Sequence, residues 1–491
     1  MIEHLPALQT VLPLLAAPVC VLLRRAALVR VFAALVTWSC LAIAFSLLQE
    51  VLRNGAVSYE LGGWAPPLGI EYRIDVLNAY VLVLVATMAS VVIAFPLAGR
   101  ELRIPKERFF LFYALFLLCL AGLLGITITG DLFNIFVFLE ISSLSAYALI
   151  GLGRDRRALT AAFSYLAMGT VGGAFILIGI GLVYQMTGTL NIVDLGQRLP
   201  PVLGTRTVWM AFAFLVVGTS IKLAAFPLHQ WLPNAYTYAP SVVSAFLSAT
   251  ATKVAYYVLV RLLFTVFGFA FVFERVQLTA LLLPLSLIAM VVGSLAAIYQ
   301  TDIKRLLAYS SIAQIGYMTL GLSLANLDGL TGGLVHLFNH GLIKGGLFLV
   351  VACALSRVES PRIESLRGMG KRMPWTMAAF VVGGLGLIGI PGTVGFVSKW
   401  YLVLGALDKG LYFVAFMILA SSLLAVIYVW RVVEVMYFSD EEQAVERHDA
   451  PLSMLLPTWV LIGATIYFGF DTELTAGVAE KAAAYLLGGA S

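Results

Sequence analysis

Apolar residues in this chain come in long unbroken runs rather than in alternation. Runs lie near 5–23, 31–49, 76–98, 109–129, 131–152, 160–186, 208–226 with a continuation to 236, and 241–267. Six more lie near 277–299, 306–325, 330–354, 375–407, 412–437 and 451–470. A helix needs roughly 20 apolar residues to cross a bilayer. Continuous hydrophobicity favours helices over a transmembrane barrel. The pattern predicts an all-α membrane protein of about 14 transmembrane helices, with no large soluble domain between them. The first run has no basic flank and no small-residue cleavage site, so it reads as a retained span rather than a signal peptide.

Two spans are interrupted. The seventh reads Lys222-Leu-Ala-Ala-Phe-Pro227-Leu-His229, and the twelfth Gly389-Ile-Pro391-Gly392-Thr-Val-Gly395. Proline removes a backbone donor and clashes with the preceding turn. Non-helical backbone at membrane depth is tolerated only against protein or a wet cavity. The breaks are five spans apart. This predicts two inverted five-helix repeats, with discontinuous helices 7 and 12 beside the site. The expected divisions are residues 1–108 (helices 1–3), 109–267 (helices 4–8), 277–437 (helices 9–13) and 451–491 (helix 14 and tail).

Composition agrees with the runs. Hydrophobic residues make up 61% of the 491 and charged residues 12%. The mean hydropathy is +0.97. Soluble domains carry about 45–50% apolar and about 25% charged residues, so a soluble enzyme, a disulfide scaffold and a disordered chain are excluded. Cys20, Cys40, Cys119 and Cys353 lie in apolar runs without a CxxC and read as small buried hydrophobes.

The formal net charge is +5. The positive-inside bias accounts for it, and no nucleic-acid partner is expected. One set of loops carries 18 Lys and Arg, including Arg24, Arg100, Arg103, Arg154, Lys304, Arg357, Lys371 and Arg447, against 7 in the opposite set. That alternation predicts both termini outside a cell (inner) membrane.

Charges at bilayer depth cost about 2.5–3.5 kcal/mol each on insertion scales. Glu140, Lys222, Lys253 and Lys399 nevertheless fall inside spans. The eleventh span adds His336-Leu-Phe-Asn-His340-Gly-Leu-Ile-Lys344. Positions i, i+4 and i+8 share one helical face and cover about 12 Å of rise. Tyr309, Ser310, Ser311, Gln314, Tyr317 and Asn339 are candidate polar lining. Four lysines against one carboxylate cannot all be charged together, so protons must come and go.

Three readings compete here. An ion pair such as Glu140–Lys222 could lock helices together. A zinc site at His336 and His340 lacks further ligands. A proton relay uses all seven groups, which exceed what a structural lock requires. His229 is a possible proton entry or a cap of the broken helix. Arg261 reads as snorkelling at the outer end of span eight, Arg431 and Glu434 as a pair, and Asp131 as a cap. Trp64, Trp209, Trp231 and Trp375 read as interface anchors. No Walker, dinucleotide, HExxH, haem or GxSxG motif is present, so no catalytic centre, metal or cofactor is expected.

At these residues the sequence resembles the antiporter-like subunits shared by Mrp-type cation/proton antiporters, respiratory complex I and membrane-bound hydrogenases. The resemblance runs over about residues 70 to 440. It is carried by Asp131-Leu-Phe-Asn-Ile-Phe-Val-Phe-Leu-Glu140, by Lys222 to Ala235, and by Lys253-Val-Ala-Tyr-Tyr. Lys304-Arg-Leu-Leu-Ala-Tyr-Ser-Ser to Tyr317, His336 to Lys344, and Pro391 to Lys399 extend it. The Asp131–Glu140 motif looks most like the D-type version of Mrp antiporters, which makes a D-type subunit the first expectation and a hydrogenase or complex I relative the second.

The resemblance implies fourteen helices and a central polar axis. It implies that Glu140 and Lys222 form a coupling pair and that Lys253 is the central relay lysine. His336, His340 and Lys344 would line the path, and Lys399 would end it. Lys399 stands where M-type complex I subunits carry Glu, Asn234 where many relatives carry Asp, and Tyr236 where many carry His. The sequence stops soon after span fourteen, whereas L-type complex I and A-type Mrp subunits carry long carboxy-terminal extensions, so neither of those types is expected.

The resulting expectation is a proton-translocating subunit of a multisubunit monovalent cation (Na+)/proton antiporter, with other membrane subunits as partners. The alternative is a proton-pumping subunit of a complex I-type NADH:quinone oxidoreductase or a membrane-bound hydrogenase. An inert scaffold that has lost transport, and a membrane enzyme or quinone site, are the readings from other classes.

Overall fold

The computed structural model describes residues 4–97, 101–102, 104–439 and 448–488. Arg100, Arg103 and Arg447, which entered the orientation argument, lie outside the described residues. The first eight helices are α1 (Leu5–Leu23), α2 (Ala26–Asn54), α3 (Val76–Ala94), α4 (Phe109–Ile128), α5 (Leu132–Gly151), α6 (Arg157–Thr187), the short α7 (Ile192–Arg198) and α8 (Arg206–Leu223). Then come α9 (Trp231–Tyr238), α10 (Ser241–Val260), α11 (Leu278–Ile298), α12 (Ile303–Leu324) and α13 (Leu327–Leu355). The chain closes with α14 (Met369–Arg372), α15 (Pro374–Ile388), α16 (Val394–Asp408), α17 (Tyr412–Tyr437), α18 (Leu452–Phe470) and α19 (Val478–Leu486).

Among the described residues, 12 helices are long and apolar enough to cross a membrane. Two predicted segments fall outside that set for physical reasons. Helix α12 has 22 residues but carries Lys304, Arg305, Gln314 and several hydroxyls. The twelfth segment is split into α15 and α16, of 15 residues each.

Both breaks are built as the prolines and glycines predicted. Helix α8 stops at Leu223, with Ala224 left-handed at φ 60°, and helix resumes at Trp231. Helix α15 stops at Ile388 and α16 begins at Val394. Gly389 between them has φ 85°, and a Cβ there would lie 2.9 Å from Lys399 Cδ. Glycine is the residue that permits both the turn and the lysine stem.

Helix α13 is the axle. Every residue from Gly329 to Ala354 is buried, and α13 packs on α10, α12, α15, α16 and α18. Helices without a hydrophobic drive to associate in lipid rely on close packing through small residues. A Cβ on Gly321 would meet Gly333 at 2.7 Å, and one on Gly405 would meet Gly329 at 2.5 Å. These approaches bring α12 and α16 against the polar face of α13.

The structure corrects several expectations. A hairpin of Val57–Glu60 and Glu71–Ile74 occupies the loop before α3. Trp64, Trp209 and Trp375 are exposed, but Trp231 is buried and stacks on Tyr165 at 3.8 Å. Its indole lies in the wall of the first break rather than at an interface. Arg431 does not pair with Glu434. Its guanidinium donates to the carbonyls of Ile298 and Gln300, which end α11. Asp131 is a cap as expected, accepting from Asn134 N at 2.7 Å. All four cysteines are free and buried.

Arg261 does not snorkel. It is buried in a π-helical turn after α10, donates to Tyr257 Oη at 3.2 Å, and pairs with Asp75. Asp75 caps α3 through Leu77 N and Asn78 N, at 3.0 and 3.2 Å. Asp75→Asn keeps a good capping side chain but strips Arg261 of its counter-charge. Breaking a buried pair from one side costs about 3–5 kcal/mol. The expected outcome is a markedly lower thermal unfolding midpoint, and an unchanged midpoint would sink this assignment.

Candidate polar axis through the membrane

The first centre stands where α5, α6 and α8 meet. Lys222 is in the last turn of α8, where cations complement the helix dipole. Its Nζ lies 3.2 Å from Glu140 Oε1 and 3.0 Å from Ser143 Oγ. The lysine is buried, whereas the glutamate side chain is 27% exposed. Glu140 lies against Gly173 of α6, where a Cβ would sit 2.5 Å from Oε1. Trp231 Nε1 donates to Ile221 O at 2.9 Å and so ties the far side of the break to the turn that carries Lys222. A small cavity lined by Ser142, Ser143, Tyr165 and Ala251 leads from Lys222 toward α10.

Lys253 is the second centre. It is 0% exposed. Its Nζ donates to Ser248 O of its own helix and lies 3.3 Å from Thr252 Oγ1. Among the described residues no carboxylate pairs with it.

The third part is the face of α13. Lys344 Nζ donates to Leu307 O at 2.7 Å and to Ser310 Oγ. One turn away, His340 has no hydrogen-bond partner on either ring nitrogen among the described residues. Its ring stacks on His336 with centroids 5.9 Å apart. His336 is held at both nitrogens, by Ser398 Oγ at 2.8 Å and Gln314 Oε1 at 2.9 Å. Buried polar groups normally have partners, and His340 differs in this from His336, which is held at both nitrogens.

Lys399 ends the series. Its Nζ donates to Leu387 O at 3.1 Å, Ile388 O at 2.7 Å and Ser422 Oγ at 2.9 Å. It thereby caps the carbonyls that the end of α15 leaves open. It also sits 4.8 Å above the Tyr317 ring, which lies 5.4 Å from His336.

The structure thus brings Lys253, His336, His340, Lys344 and Lys399 together around α13, with Glu140–Lys222 alongside. His229 stands apart. Its ring stacks on Phe226 at 5.3 Å, its Nδ1 has no partner among the described residues, and α9 has no side-chain cap. Tyr309 faces Arg305 rather than the axis. Sequence reasoning missed Ser143, Ser398 and Ser422 as lysine and histidine partners. The first lies three residues after Glu140 and the second beside Lys399, which was the available signal.

This arrangement can move protons between groups of adjustable protonation, and among the described residues its only ion pair is Glu140–Lys222. Comparison with known proteins identifies the family. The N subunit of NADH-quinone oxidoreductase from Desulforudis audaxviator is 42% identical over 98% of this chain and 99% of its own length. The D-type subunit of the Na(+)/H(+) antiporter from Alkalihalophilus pseudofirmus is 30% identical over 88% of this chain and 87% of its own. One chain of the Mrp complex from Dietzia sp. superposes with a TM-score of 0.89 at 26% identity, covering 99% of this chain and 98% of that one. Residues 129–425, which hold every group of the axis, match the NADH:quinone oxidoreductase/Mrp antiporter transmembrane family, and the chain belongs to it as one of the antiporter-like subunits of multisubunit membrane complexes.

Proposed function

We propose that this chain translocates protons across the bilayer along the axis Lys253, Lys344, His340, His336 and Lys399, with the Glu140–Lys222 pair setting the electrostatics at one end. The observation that carries the reading is the buried ladder on α13. Three titratable groups one turn apart each meet a partner helix or a neighbouring ring. Intramembrane ionisable groups are expensive and mark proton paths. Residues 109–267 and 277–437 are taken as the two inverted repeats, with both termini outside an inner membrane.

Two readings of the parent complex follow. In the first, the chain serves a monovalent cation (Na+)/proton antiporter, the activity for which its D-type relative is named. In the second, a redox arm drives the same axis. The 42% identity to a protein named as the N subunit of an NADH-quinone oxidoreductase, against 30% for the D-type relative, favours the second. Purification of the chain with its native partners separates them. Flavin or iron–sulfur subunits are expected in the redox reading, and small hydrophobic subunits alone would overturn it in favour of cation exchange. An assembled complex that moves no protons in sealed vesicles would overturn both.

A further inference from the structure

The axis needs a connection to water, and among the described residues no hydrogen bond, ion pair or ring contact joins His229 to α13. A different feature supplies that connection. On the side rich in Lys and Arg, an open cavity of about 590 Å³ lies at the foot of α10, α12 and α13. Its wall includes Glu101, Arg154, Pro240, Asp302, Lys304 and Glu359. Glu101 lies outside the residues that match the family.

Two opposite charges organise this cavity. Glu101 accepts from Ser241 N at 3.0 Å and from Ser241 Oγ at 2.6 Å. It therefore caps α10, whose own N-cap residue is Pro240 and offers no side-chain cap. Lys304 is buried and donates to Ala239 O, the residue that ends α9. Arg305 adds a bond to Asn234 Oδ1 at 3.2 Å. The end of the broken helix, the start of the helix bearing Lys253, and the start of α12 are thus pinned at one place. Asp302 caps α12 through Lys304 N and Arg305 N. Arg157 and Asp155, which also line the cavity, pair at 2.6 Å.

From Lys304, α12 runs straight to the axis. Leu307 O and Ser310 Oγ, which hold Lys344, lie one and two turns further along the same helix. The rise from Lys304 to Ser310 is about 9 Å. Lys344 is then followed by His340 and His336 on α13.

We propose that this vestibule is the aqueous mouth of the axis, that Glu101 and Lys304 are its positioning residues, and that it opens onto the axis at Lys344, beside Lys253. The Glu101 carboxylate favours a proton near the mouth, and the Lys304 ammonium opposes its advance. The pair sets the barrier between the cavity and Lys344. This inference rests on the proton-translocation reading above.

The test uses the assembled complex in sealed inverted vesicles, reading the initial rate of ΔpH formation as a function of pH. Glu101→Gln is expected to slow it by roughly tenfold, the scale of one pKa unit of lost stabilisation, and to shift the rate–pH profile. Glu101→Asp should retain most of the rate. Because either variant could disturb the α10 cap, Glu359→Cys provides an arm that acts after assembly. A membrane-impermeant cationic thiol reagent should slow proton movement more than an anionic reagent of equal size. Equal rates and profiles for Glu101→Gln and Glu101→Asp, or adducts whose charge makes no difference, would overturn the vestibule while wild-type flux leaves the proposed function standing. Absence of proton movement in wild type overturns both.

Discussion

Replacing Lys253 with Met is expected to abolish proton translocation while the complex still assembles. Lys253 is 0% exposed, and its ammonium meets only Ser248 O and Thr252 Oγ1 among the described residues. Met matches the apolar stem and carries no charge. The lost hydrogen bond costs about 1 kcal/mol. Removing an unpaired buried charge relieves a penalty of several kcal/mol, so the bundle should be no less stable. Lys253→Arg should fail as well, because a guanidinium does not release its proton in a protein. Initial rates of ΔpH formation in vesicles, normalised to assembled complex, check both variants. Either variant retaining more than about a tenth of the wild-type rate would sink a relay through Lys253, since a tenfold change corresponds to only about 1.4 kcal/mol. Unchanged flux is the outcome that an inert scaffold requires.

The spans were legible because membrane depth imposes a length, and fourteen hydrophobic runs met it. The breaks were legible because Pro227, Pro391 and Gly389 act locally on the backbone. The stack on α13 was legible because His336, His340 and Lys344 share one helix and repeat every four residues. What failed were statements that need a partner on another element. Arg261 looked like a snorkelling end residue because Asp75 is 186 positions away. Yet Tyr257 and Arg261 follow Lys253 at i+4 and i+8, and that spacing was a usable hint. Glu434 looked like the partner of Arg431 because it is near in sequence, but the guanidinium reaches the carbonyls that end α11. Residue type alone made Trp231 an anchor, whereas its stacking with Tyr165 depends on how α6 meets the first break. The hairpin strands have four residues each, too short to stand out between spans. Ser398 and Gln314 come to His336 from two different helices, so only the packing could assign them.

The Glu140–Lys222 pair yields the second large effect, because two routes to the same loss can be compared. Glu140→Gln removes the charge opposite Lys222 and is expected to abolish translocation. Losing one member of a fully buried pair costs about 3–5 kcal/mol. Glu140 is 27% exposed, so the stability loss should fall below that range. Adding Lys222→Met should recover stability without recovering transport, since no unpaired charge then remains. Gly173→Ala tests the same centre without touching either charge. Its methyl would lie 2.5 Å from Glu140 Oε1, inside van der Waals contact, so the carboxylate must turn toward its exposed side and lengthen the 3.2 Å pair. The carboxylate end is mobile enough to yield, so assembly should survive while the rate of proton movement falls. A structural lock predicts a different order. If the pair only glues α5 to α8, the double variant should transport as well as it folds, and Gly173→Ala should lower the unfolding midpoint and the rate together. Measuring midpoints and initial rates for the three variants separates a coupling pair from a lock, because only coupling lets transport fall while stability is kept.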